Sequence, residues 1–88
     1  MKVRAEAAQI LEAVIFQGKS LAAFTETIKA HDESPLLQML CYGSLRHYEL
    51  LAFVIGELAT KKVKPKIAYA LLIVGIFQLY YLDKPAYA

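Results

Sequence analysis

The chemistry-bearing residues of this 88-residue chain are mostly cations. Lys61, Lys62, Lys64 and Lys66 place four ammonium groups within six residues, next to a proline that can open a helix. Cations beside the free backbone N–H groups of a helix start are what phosphate recognition needs. Lys2 and Arg4 open the chain, where positive charge works against the helix dipole by a few tenths of a kcal/mol, roughly. Arg46 offers a guanidinium able to grip phosphate in a bidentate way, or to pair with Glu49 three residues on. Against this stands an ordinary reading, in which lysines solubilise a loop and arginines decorate a surface.

The other reactive side chains point away from catalysis. Cys41 is the single cysteine, so no internal disulfide is available and a reducing, cytoplasmic compartment fits. It falls between Leu37 and Leu45 on an apolar helix face, with no His or Lys at helical spacing to lower its pKa, and reads as an inert core thiol rather than a nucleophile. His31 and His47 are sixteen residues apart with no cluster of further ligands, so no metal site is expected; His31 reads as a loop residue and His47 as a helix-surface residue. Of the six tyrosines and four phenylalanines, most fall in apolar rows, leaving Tyr42 and Tyr48 as edge contacts for a nucleic acid.

The charge is unevenly spread. The net charge of +2 splits into −2 over residues 1–60 (five basic, seven acidic) and +4 over residues 61–88 (five basic, one acidic). A local basic patch on a nearly neutral chain indicates a polyanion contact. The hydrophobic fraction of 58% exceeds the usual ~45–50% of soluble domains. The most apolar run, Ile67–Leu82, reaches roughly 24 Å as a helix, short of a ~30 Å hydrocarbon core. It contains Gln78 and reads as a buried helix rather than a membrane span. A small membrane-associated helical protein is the outlying alternative.

Apolar spacing is helical throughout, and the fold class is all-α. A first helix spans about Val3 to Gln17 and ends at Gly18, suited to a left-handed cap. A short second helix covers about Leu21 to Ala30, with Ser20 as its N-cap. Ser34 and Pro35 open a long third helix, to about Ala59, with Leu37, Leu40, Cys41, Leu45, Tyr48, Leu51, Ile55 and Leu58 in register. Gly43 in its middle costs ~1 kcal/mol relative to alanine and implies a close helix–helix approach. Thr60–Lys64 reads as a loop. Pro65 starts a fourth helix, apolar on nearly every face, to about Leu82. Asp83-Lys84-Pro85 ends it, and Pro85–Ala88 looks like the opening of a fifth.

Leu36–Arg46 (LLQMLCYGSLR), Ile73–Tyr81 (IVGIFQLYY) and the start, Arg4–Ala8 with Gly18–Leu21, together resemble the NusB-like RNA-binding fold. The version they resemble stands at the front of rRNA cytosine-5 methyltransferases of the Sun or RsmB type. The stand-alone NusB antitermination factor shares the fold and is the competing reading; Cys41 and the Gly43-Ser44-Leu45-Arg46 run favour the methyltransferase version. The resemblance implies a NusB-like helical bundle, four helices plus the start of a fifth, forming the N-terminal part of an RNA-binding domain. It implies an rRNA partner, with Lys2, Arg4, Arg46, Lys61, Lys62, Lys64 and Lys66 as contacts and no catalytic residue in this piece. S-adenosylmethionine and the methyl-transfer chemistry would belong to a catalytic domain of the parent chain. If the helices that would wrap the fourth helix are missing, this piece should self-associate through that helix.

Overall fold

The computed structural model describes residues 2–59 and 64–82. Lys61 and Lys62 lie outside the described residues, as do most of the expected 60–64 loop and the expected fifth-helix opening at 85–88. All described regular structure is helical: α1 (Lys2–Gln17), a 3₁₀ turn (Leu21–Phe24), α2 (Thr25–Ala30), α3 (Ser34–Arg46), α4 (Tyr48–Leu58) and α5 (Lys66–Phe77), which passes directly into a π-helical segment, Gln78–Leu82.

α1 forms because Val3, Ala7, Ile10 and Leu11 repeat at helical spacing, and all four are buried. It stops at Gly18, whose φ of +73° is the left-handed conformation that suits glycine. The Lys19 N–H then folds back onto the Ala13 carbonyl. The core is a single cluster in which α5 packs against α1, α3 and α4 through Ala70, Ile73, Val74 and Phe77.

Several expectations need correction. The second helix is split: Leu21–Phe24 is 3₁₀ and only Thr25–Ala30 is α, and Thr25 Oγ1 donates to the Ala22 carbonyl at the junction. The Ser20 and Ser34 hydroxyls do not cap; Ser34 is already the first helical residue, preceded by Glu33, and no side-chain cap bond forms at either start. The long third helix is broken at His47 (φ −105°, ψ 19°) into α3 and α4. The apolar register runs on across the break, since Leu37, Ser44 and Leu51 are seven apart and all buried, so spacing alone does not reveal it. Backbone bonding also continues, with His47 N–H donating to Gly43 and Leu51 N–H to His47. Leu58, expected in the buried row, is 74% exposed.

α5 is not wrapped on every side. Leu71, Leu72, Leu79 and Tyr80 are exposed. Among the described residues no helix is long and apolar enough to cross a membrane.

Candidate nucleic-acid interface

Chain direction decides which cations share a surface. At one end of the bundle, Phe16 near the end of α1 meets Lys66 and Tyr69 at the start of α5. At the other end, Arg4 near the start of α1 lines a pocket of about 230 Å³ with Leu71, Leu72, Ile76, Gln78 and Leu79 of α5 and its extension. α1 and α5 are therefore antiparallel. α3 runs in the same sense as α5: Gly43 sits under Phe77, and His47 stacks on Tyr81. Lys2, Arg4 and Arg46 thus belong to one end of the bundle. Lys64 and Lys66 belong to the other, separated by twelve residues of α1, or roughly 18 Å. The cations that looked like one set in sequence form two groups in space.

The Lys66 end holds its cation down. The Lys66 Nζ lies 5.3 Å from the centre of the Phe16 ring, within cation–π range. Phe16 meets Tyr69 edge-on, with centroids 5.7 Å apart. Tyr69 shares a 3.0 Å hydroxyl–hydroxyl hydrogen bond with Tyr48. Burial, with the Tyr48 hydroxyl bond and then Tyr48's own charge adding to it, pushes the Tyr69 phenol up to about 12. Tyr48, read from the sequence as an edge contact, is half-buried with its hydroxyl bonded to that of Tyr69. Lys64 is exposed.

The Arg46 end is arranged differently. The ring of Phe77 fills the space where a side chain at Gly43 would stand: a Cβ built there would lie 2.6 and 2.8 Å from the two Cε atoms, and closer still to Cζ. This is the close approach that Gly43 announced. His47 and Tyr81 stack with centroids 4.0 Å apart and planes 13° apart, and Phe77 lies 5.5 Å from Tyr81 in nearly the same orientation. His47 is half-buried in this stack, not the plain helix-surface residue expected. No sequence signal marked it; only the π-helical extension after Phe77 brings Tyr81 to it. Arg46 is exposed, and among the described residues it makes no ion pair with Glu49. Tyr42, one turn earlier on α3, is exposed as expected. Lys2 is exposed, whereas Arg4 is half-buried against α5 and is not a plain surface arginine.

Cys41 has no accessible surface, and burial, reinforced by the charge of Glu6, pushes its thiol up to about 12. It is a neutral core group, as its register implied. His31 does sit in the connection, its Nδ1 accepting the Glu33 N–H at 2.9 Å. No group of three metal-ligating side chains occurs among the described residues.

Comparison with known proteins is consistent with this architecture. The model of the NusB family matches residues 1–88. "Ribosomal RNA small subunit methyltransferase B" of Pasteurella multocida is 40% identical over 94 residues, covering 100% of this chain and 21% of that protein. The proteins of the same name from Vibrio vulnificus and Erwinia tasmaniensis are 37% and 36% identical, with 22% and 21% of their lengths covered. This chain therefore spans about a fifth of the length of these relatives. No solved structure gives a significant match. With a family model that covers every residue and an all-helical bundle to match it, the chain belongs to the NusB family.

Proposed function

We propose that this chain is the RNA-engaging N-terminal domain of an S-adenosylmethionine-dependent rRNA cytosine-5 methyltransferase, acting in the cytoplasm. Its work is positioning: it holds rRNA backbone while a separate domain of the parent protein performs methyl transfer. The observation that carries this reading is the 40% identity to a small-subunit rRNA methyltransferase across the whole of this chain. The identity of these relatives favours it over a stand-alone antitermination factor. The chemistry here supports it as well. Cys41 is buried and neutral, so it has no part in attacking a pyrimidine. S-adenosylmethionine is assigned, in the same reading, to the parent protein's catalytic domain.

Lys2, Arg4 and Arg46 at one end, and Lys61, Lys62, Lys64 and Lys66, are the proposed backbone contacts. As an isolated piece, the chain is further proposed to self-associate through the exposed leucines of α5, which sedimentation at micromolar concentration would read as a dimer and a stable monomer would refute.

A chimera tests the positioning role. Replacing the matching segment of the Pasteurella multocida enzyme with this sequence should restore methylation of small-subunit rRNA to a deletion that lacks the segment. A chimera as inactive as the deletion, although folded and able to bind S-adenosylmethionine, would refute the reading.

A further inference from the structure

The stack at the α3–α4 break does more than the packing requires. Phe77 alone, buried over Gly43, already ties α5 to α3. Tyr81 adds a second ring that is 37% exposed and lies parallel to His47. It comes from a π-helical turn, a wrinkle found often at functional sites. The next residue before His47 is Arg46, whose guanidinium is exposed and not engaged by Glu49. Tyr42 lies on the same α3 face as Arg46, four residues back. A partly open aromatic face one residue along the chain from an exposed arginine, which among the described residues forms no ion pair, supplies the two groups that take an unpaired nucleobase and its phosphate. The opposite end has the same residue types without that property: its lysine already covers the Phe16 ring, and its tyrosine hydroxyls bond each other.

We propose that the His47–Tyr81 stack with Arg46 is a binding site for one unpaired nucleotide of RNA, its base stacked on the aromatic pair and its phosphate held by Arg46. The inference rests on the RNA-engaging reading and sharpens it to a place. Stacking and charge contact leave different signatures. Losing a stacked base weakens affinity without altering salt dependence, while losing a phosphate contact also flattens the salt slope.

The test uses the 88-residue chain and a single-stranded RNA carrying 2-aminopurine at successive positions. The wild-type chain should quench the probe, partially at each position because binding in many registers brings each in turn to the site. Tyr81→Ala should lower affinity about 5- to 150-fold with the salt slope unchanged, and Tyr81→Phe should bind as wild type. Arg46→Gln should lower affinity and reduce the slope by about 0.7. If Tyr81→Ala does not fold, quenching by the wild-type chain, present or absent, still decides. RNA binding that persists with no quenched position, or with Tyr81→Ala unaffected, would overturn the site while leaving the RNA-binding reading intact. An absence of any RNA binding by the wild-type chain would overturn both.

Discussion

The two faces of α5 are equally apolar in sequence and behave oppositely in the fold. One face, Ala70, Ile73, Val74 and Phe77, is buried against α1, α3 and α4. The other, Leu71, Leu72 and Leu79, is exposed around Gly75. Their glycines differ in the same way. A Cβ at Gly43 would collide with Phe77, whereas a Cβ at Gly75 meets nothing within 4 Å. Hydrophobicity therefore marks what can be buried, and only a filled neighbouring space marks what is.

This contrast can be broken at several points. The largest effect should come from Phe77→Ala, which empties the space over Gly43 and should cost about 3–5 kcal/mol in chemical denaturation. Gly43→Ala should destabilise by about 1–3 kcal/mol although alanine is the better helix former, because the buried Phe77 ring must shift to admit the methyl. In the double variant the two costs should not add, since the smaller side chain leaves room for the new methyl. Additive costs would mean that Gly43 and Phe77 are not in contact.

Alkaline pH probes the same buried face through Cys41. Its folded pKa of about 12 lies above the ordinary thiol value of ~8.5–9, so only the unfolded chain ionises there as pH rises. Stability contributed by the neutral thiol is complete below pH ~8.5 and is lost between there and pH 12, at up to about 1.4 kcal/mol per unit. Denaturation series from pH 8 to 11 should show a steeper decline for the wild type than for Cys41→Ala. Parallel declines would place the thiol in contact with solvent.

The open face predicts the smallest effects and one opposite sign. Gly75→Ala should stabilise by about 0.4–1 kcal/mol, because the methyl enters open space and the unfolded chain loses freedom. Leu79→Gln, measured below the concentration at which the chain self-associates, should change stability by no more than about 0.5 kcal/mol. A large loss at either position would show that this face is covered in solution.

Much of the fold was legible in the sequence, because α1 and α3 carry apolar rows at helical spacing, α5 is a long apolar run opened by a proline, and Gly18 and Gly43 each had one physical use. The break at His47 was not legible: buried residues recur every seven positions through it, and histidine carries no stop signal. The split of the second helix was hidden for a related reason, since Leu21, Phe24 and Ile28 suit a 3₁₀ turn and an α-helix equally well. At the candidate interface the residue types were readable and their grouping was not. Arg4 and Lys66 are apart because α1 and α5 run antiparallel, a property of topology rather than of spacing. Tyr48 and Tyr69 pair across twenty-one positions through their hydroxyls, which no local pattern encodes.

The central claim is that this domain holds RNA by its backbone. The most direct measurement is the affinity of the 88-residue chain for a single-stranded fragment of small-subunit rRNA across a series of salt concentrations. Engagement of one group of three or four cations should give a log–log slope of about −2 to −3, and of both groups about −5, with little dependence on sequence. Binding absent at low salt, or a slope near zero, would contradict the account.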